Sequence, residues 1–267
     1  MTESQPQGGW HWVDWGCELL GTALLLGGGL SAICLTMHPG GFVREHVPSL
    51  TLRLLITGTL FGGTGSLNAL APWGRRSGAH LNPVVTLAFF LRGRVHPADV
   101  AGYVAGQLAG ALLGALAVLA LWGPVARAVD LGVTQPGDGA SPLAATAIEA
   151  GMTALLVLVI LVLTSDTRTA RWTPLANVAL IALLVATLAP ETGTSLNPVR
   201  SAGPALVLPE LRHLGVYVAG PLLGSLLASA AFALVLRERT TMTAKLFHDP
   251  SYQSMLGSVM PVAGRGT

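Results

Sequence analysis

This sequence has little charge: Asp, Glu, Lys and Arg make up 10% of its 267 residues, and the single lysine is Lys245. With no other lysine there is no Gly-rich phosphate loop ending in Lys, which argues against a nucleotide-driven pump. The formal net charge of +2 offers no basic face for nucleic acid. Cysteine is equally scarce. Cys17 and Cys34 stand 17 positions apart in one apolar stretch. A helix rising ~1.5 Å per residue would hold them roughly 25 Å apart, which excludes a disulfide between them. No Lys or Arg precedes Gly16 and a spanning-length apolar run follows, so no cleaved signal peptide is expected. The seven histidines are scattered over loops and ends, without a nucleophile and base at recognisable spacing, which makes an enzyme the weakest function class.

What is abundant is apolar side chain, at 51% of residues with a mean hydropathy of +0.61. That exceeds what a soluble domain needs for its core and points to a lipid bilayer as the main solvent. Each crossing of a hydrocarbon layer ~30 Å thick takes about 20 mostly apolar residues. The sequence predicts spans near 16–36, 50–72, 98–122, 143–164, 174–190 and 213–236, with two shorter apolar pieces at 79–91 and 193–208. Polar connections rich in Pro, Gly and charge fall at 37–49, 123–142 and 165–173. The expected fold class is an all-α membrane protein with six transmembrane helices and two re-entrant half-helices. The expected organisation is an N-terminal segment 1–15, a channel domain 16–236 and a tail 237–267 that is a candidate for disorder.

Self-comparison organises the channel domain. Leu81-Asn82-Pro83-Val84 recurs as Leu196-Asn197-Pro198-Val199, and Tyr103-Val104-Ala105-Gly106 as Tyr217-Val218-Ala219-Gly220, at offsets of 115 and 114. Glu18 with Thr22 is echoed by Glu149 with Thr153. The chain is therefore a tandem duplication, repeat one at about 16–122 and repeat two at about 143–236. Each repeat holds three spans, and an odd number of crossings forces the second to enter the bilayer inverted. With both termini inside, 10 of the 15 basic residues fall on the cytosolic side, which favours that orientation.

An Asn-Pro pair opening a short apolar run reads as a helix start, Asn the N-cap and Pro the first helical residue. A single pair would be an ordinary turn. Two in register within a membrane duplication are more. Asn82-Pro83-Val84 and Asn197-Pro198-Val199 should open two half-helices that meet near the midplane, because irregular backbone at that depth must be packed in protein or line a watery cavity. Their positive dipole ends and amide donors would welcome a water or alcohol oxygen and repel cations. Arg200 lies in the first turn of the second half-helix, where repeat one has Val85. A pore-facing filter cation explains it better than an Arg snorkelling to the interface. Glu18 and Glu149 admit two readings, a proton relay or acceptors for the irregular backbone leading into each half-helix, and the second is preferred. His80 reads as a loop anchor, since no second ligand stands at metal-binding spacing. Glycines at 106, 110 and 114, and at 220 and 224, form small-residue stripes for helix packing. In span two, Thr57, Phe61, Thr64 and Asn68 share a helical face that is a candidate pore lining.

These residues resemble the major intrinsic protein family, the aquaporins and glycerol facilitators, over about 16–236. The resemblance rests on Ser77-Gly78-Ala79-His80-Leu81-Asn82-Pro83-Val84, on Gly193-Thr194-Ser195-Leu196-Asn197-Pro198-Val199-Arg200-Ser201, and on Glu18 and Glu149. It implies an hourglass fold, one pore per subunit, a homotetramer, no cofactor and a plasma-membrane location. It also implies an outer filter, which carries over to Val185, Thr194, Arg200 and a span-two residue. Spacing leaves Phe61 or Gly62 for the last, and the polar-face argument selects Phe61. Both motifs end in Val rather than Ala, and Val185 stands where a strict water filter has His. Ser201, Ala205 and Tyr217 resemble the water branch, whereas Val218 is not the aromatic expected there. The expected function is a passive channel for water and small uncharged solutes that excludes protons and ions. The alternatives are a facilitator of glycerol or another small neutral solute and, less favoured, a proton-coupled secondary transporter.

Overall fold

The helices begin where the sequence offers caps. Pro83, Pro97, Pro142 and Pro198 each occupy the first helical position, where the missing N–H has no partner to lose. Ser49 and Ser141 accept the amides of Leu52 and Ala144 at 3.3 and 3.1 Å, the first fixing a further start and the second reinforcing the one at Pro142. The computed structural model describes residues 10–252. Its principal helices are α1 (Trp12–Met37), α2 (Leu50–Leu70), α3 (Pro83–Leu91), α4 (Pro97–Trp122), α5 (Pro142–Leu163), α6 (Thr173–Thr192), α7 (Pro198–Val207) and α8 (Leu214–Val235). Short helices punctuate the connections, among them Phe42–His46, Pro72–Ser77, Pro124–Ala128 and Thr167–Ala170.

The six long helices match the six expected spans, and the half-helices α3 and α7 start at Pro83 and Pro198 after extended or left-handed backbone. Five of the six are long and apolar enough to cross a membrane by hydropathy alone. The sixth, α2, carries Arg53, Thr57, Thr59, Thr64, Ser66 and Asn68 and is diluted below that level. It belongs to the set because its Thr57 is turned inward and because it packs along α6, its counterpart in the other repeat.

Packing follows the duplication. Helix α1 lies along α4 and α5 along α8, the same pair in each repeat, and α2 and α6 close the ring between them. The half-helices cross over: α7 of repeat two packs on α4 of repeat one, and α3 of repeat one on α8 of repeat two. The α1–α4 contact is made by glycine. A Cβ at Gly106 would stand 2.6 Å from the Trp15 carbonyl oxygen, and one at Gly114 2.5 Å from that of Ala23. Between them Gly110 faces the Leu19 carbonyl more closely still. In repeat two, Gly220 and Gly224 meet Thr146, Glu149 and Ala150 in the same way. The stripes therefore let backbones touch.

The tail reading covered residues 237–267. Of these, Thr241, Thr243, Lys245 and Leu246 are buried against the end of α5 and the loop before α3, and 253–267, like 1–9, lie outside the described residues. Both cysteines are free.

Substituting Gly110 by Ala should lower thermal stability by about 1–3 kcal/mol, because the methyl has only backbone to displace. Gly27→Ala, where nothing lies within 4 Å, should be neutral or slightly stabilising. Thermal unfolding of the detergent-solubilised variants distinguishes the two sites; equal melting temperatures would contradict the close helix contact.

Candidate functional site

Two segments of backbone leave helical geometry inside the membrane, and each is held by one carboxylate. Glu18 of α1 is fully buried and accepts from Ser77 Oγ at 2.7 Å, the His80 amide at 3.0 Å, the Leu81 amide at 2.7 Å and Gln107 Nε2 at 2.8 Å. Glu149 of α5 is fully buried and accepts from Thr192 Oγ1 at 2.9 Å and from the Ser195 and Leu196 amides at 2.8 and 2.9 Å. Tyr103 and Tyr217 donate to the carbonyls of Ser77 and Thr192 at 2.6 and 2.7 Å. Apart from Gln107, which repeat two replaces with Pro221, the two supports match position for position.

Those bonds hold a backbone that side chains disfavour. Ala79 and Leu81, and at the matching positions Thr194 and Leu196, have φ between 49° and 60°. Left-handed geometry costs a non-glycine residue roughly 1–2 kcal/mol, a cost that several bonds to a carboxylate, at about 1.5–3 kcal/mol each, outweigh.

The half-helix starts meet as their sequence implies. Asn82 and Asn197 are N-caps whose Oδ1 atoms accept from the Val84 and Val199 amides at 3.1 Å each. Each Asn also reaches across the repeats: Asn82 Nδ2 donates to the Leu196 carbonyl at 2.9 Å and Asn197 Nδ2 to the Leu81 carbonyl at 2.8 Å. An amide nitrogen carries two hydrogens. One from each Asn is committed to the protein, leaving the other for whatever occupies the space beside it.

That space is a cavity of about 530 Å³ lined by residues from both repeats, including Asn82, Asn197, Phe61, Gly62, Val185, Thr194, Arg200 and His80. Two rows at four-residue spacing make its long walls: Thr57, Phe61, Gly65 and Ala69 on α2, and Asn177, Ile181, Val185 and Ala189 on α6. Thr64 and Asn68 are not among the lining residues. Thr64 packs where a Cβ on Gly28 would go, and Asn68 holds Trp73 Nε1 at 2.8 Å. The row with period four is inclined to the helix axis, so a helix crossing the pore obliquely presents that row and not the axial stripe.

Arg200 sits in the first turn of α7, where the helix dipole disfavours a cation by ~0.3–1 kcal/mol. Its Nη1 donates to the Gly132 carbonyl at 2.7 Å, and its guanidinium lies 5.4 Å from the centre of the Phe61 ring. Gly62 also lines the cavity, but its Cα faces α6, where a Cβ would stand 3.1 Å from Val178 Cα. Of the two α2 positions that spacing left open, Phe61 is the one whose side chain lies beside the Arg200 guanidinium. Ser201 joins Ser195 and Thr134 through hydroxyl contacts of 2.6 and 2.7 Å. His80 donates from Nε2 to the Ala244 carbonyl at 2.7 Å and stacks on Phe89 at 4.9 Å.

Sequence reasoning missed Gly132 and Thr134 in the 123–142 connection, Asn177 on α6 and Leu246 in the tail, all of which line the cavity. Only the four-residue spacing of Asn177 from Ile181 and Val185 could have flagged one of them. Thr194 Oγ1 and Asn177 Oδ1 are the two cavity-lining atoms, among the described residues, that are buried without a protein hydrogen-bond partner. In a wetted pore such atoms take their partner from the contents. Glu18 and Glu149 do not line the cavity.

Comparison with known proteins places this geometry. A family model described as major intrinsic protein matches residues 15–232. Aquaporin NIP1-3 of Oryza sativa subsp. japonica is 32% identical over 239 residues, covering 87% of this chain and 78% of that protein. Glycerol uptake facilitator protein-like 6 of Lactiplantibacillus plantarum is 35% identical over 183 residues, 66% of this chain and 82% of that one. The solved aquaglyceroporin of Plasmodium falciparum superposes with a TM-score of 0.70 at 20% identity, covering 84% of this chain and 96% of that chain, and so shares the fold.

Glu18→Ala would strand Ser77 Oγ and two backbone amides, at about 1–3 kcal/mol for each buried donor. It should abolish the monodisperse detergent-solubilised protein. Glu18→Gln keeps one of the two acceptor oxygens, about half of the acceptor capacity, and should retain folded protein at reduced yield. Size-exclusion profiles check both; a well-folded alanine variant would contradict the support role.

Proposed function

Because this chain belongs to the major intrinsic protein family, it is a passive multi-pass membrane channel, and we propose that water crosses it in single file between Asn82 and Asn197. The observation that carries the reading is the reciprocal pair of bonds by which each Asn reaches the other repeat's carbonyl while keeping one amide hydrogen uncommitted. A solute oxygen entering between them meets two donors and two half-helix N-termini. The same positive ends oppose a cation.

The outer filter is Phe61, Val185, Thr194 and Arg200. Arg200 presents fixed charge and donors, Thr194 an unpartnered hydroxyl, and Phe61 and Val185 apolar walls. Asn177 adds an acceptor nearer the terminal face. Glu18, Glu149 and His80 are supports. The burial of both carboxylates away from the cavity, saturated with hydrogen bonds, speaks against a proton relay through them. The proposed setting is a homotetramer in the plasma membrane with both termini cytosolic, as the distribution of basic residues suggests. A second reading, facilitation of glycerol or a like solute, is favoured by Val185, whose apolar side chain leaves a polyol's carbon face undisturbed.

Stopped-flow light scattering on proteoliposomes tests the function. Water flux is expected well above that of empty liposomes, with a low activation energy and no dependence on a pH gradient, and glycerol reswelling slower than water exit. Flux equal to empty liposomes would sink the channel. Saturating, gradient-driven flux would sink the passive mechanism. Replacing Arg200 by Val should raise proton leak measured with an entrapped pH dye while water flux persists; an unchanged leak would remove Arg200 from the filter.

A further inference from the structure

Among the cavity-lining residues, one comes from beyond the second repeat. Leu246 lies in the stretch that follows α8, is buried, and lines the cavity together with His80. The stretch is tied down on two sides of the terminal mouth. Its Met242 amide donates to the Thr164 carbonyl at the end of α5, at 2.9 Å. Its Leu246 amide donates to the Gly78 carbonyl, in the loop before α3, at 3.0 Å. His80, two residues further into that loop, holds the Ala244 carbonyl. Thr164 belongs to repeat two and Gly78 to repeat one, so the segment bridges the mouth from one repeat to the other.

The neighbouring contacts are those of a fitted piece. Thr243 is fully buried and its Oγ1 accepts the Lys245 amide at 3.2 Å. Lys245 is buried with its ammonium on the Tyr252 carbonyl. Gly78 has φ of 101°, and a Cβ there would stand 2.5 Å from the Ala244 carbonyl oxygen, so glycine makes room for the strap. Beyond it, Arg75 pairs with Asp249 at 3.2 Å and covers the Phe247 ring at 5.3 Å. The Ser251 amide donates to the Asp249 carboxylate and holds it below its usual range.

We propose that residues 241–248 form the inner mouth of the pore and that Leu246 is a further residue setting which solutes pass. The proposal rests on the channel reading above. An apolar side chain at one end of a narrow aqueous path narrows it and offers no hydrogen bond to a passing solute. Leu246 therefore acts on size from the terminal side, whereas Arg200 and Thr194 act on charge and polarity from the other. Residues between 128 and 134, in the stretch after the last span of repeat one, line the cavity on the Arg200 side, so each mouth is bounded by the stretch after a third span, but with different side chains.

The experiment uses the full-length chain in proteoliposomes, with water exit and glycerol reswelling recorded for the wild type, Leu246→Ala and Leu246→Trp. Leu246→Ala should raise glycerol entry several-fold relative to water, and Leu246→Trp should depress both. A cysteine at the same position, Leu246→Cys in a background with Cys17→Ser and Cys34→Ser, should make flux sensitive to a methanethiosulfonate reagent, which a role in stability alone would not do. Each variant is compared at matched monodisperse yield, and the cysteine variant carries the test where alanine or tryptophan fails to fold. A conducting wild type with all three variants unchanged overturns the strap and leaves the channel standing. A silent wild type with a conducting Leu246→Ala supports the strap as an occluding element. Silence in every variant overturns the channel reading and this proposal with it.

Discussion

Backbone that leaves a helix inside hydrocarbon has no water to satisfy it, and everything else in this molecule follows from how that debt of hydrogen bonds is met. Glu18 and Glu149 are the answer. Each takes two consecutive amides and a hydroxyl from the chain just ahead of a half-helix, and each sits on a neighbouring full-length helix. A charged carboxylate at this depth would be costly alone. Surrounded by donors, it becomes the most specific fastening the fold has, and it allows Ala79, Leu81, Thr194 and Leu196 to stay in left-handed geometry.

With the loops fixed, the rest of the pore is a matter of what each helix presents. The long walls from α2 and α6 are largely apolar, broken by Thr57 at one end and Asn177 at the other. Polar groups concentrate at the two Asn caps and at Arg200 with its carbonyl partner Gly132. A passing molecule would thus meet few hydrogen-bonding stations separated by unreactive wall, the arrangement in which binding is firm enough to enter and weak enough to leave.

Much of this was legible in the residues. Two Asn-Pro-Val turns at one offset gave the inverted repeat, the helix starts and their meeting, because a cap and a proline at N1 are local chemistry. Glu18 and Glu149 could be paired for the same reason. The pore face of α2 was only half legible: Thr57 and Phe61 line the cavity, but Thr64 and Asn68 turn away since an oblique helix presents its four-residue row. Gly132, Thr134 and Leu246 were invisible, since each reaches the pore through contacts with residues about 70 to 170 positions away, which no spacing rule encodes. The tail stood as a candidate for disorder, whereas residues 241–246 are held by a surface supplied by other parts of the chain.

The crossed bonds of the two asparagines also bear on how the molecule is made. The acceptor for Asn82 is a carbonyl 114 residues further along, and Asn197 must look back 116 residues for its own. While the ribosome is still delivering α5 and α6, the first re-entrant loop has its glutamate but not its opposite number. It must wait, half secured, in the lipid or against the insertion machinery. Neither repeat can finish its centre alone, so the conduit comes into being only when the second loop arrives, late in synthesis and all at once. An interrupted chain would leave a bundle of helices in the bilayer and no hole through it.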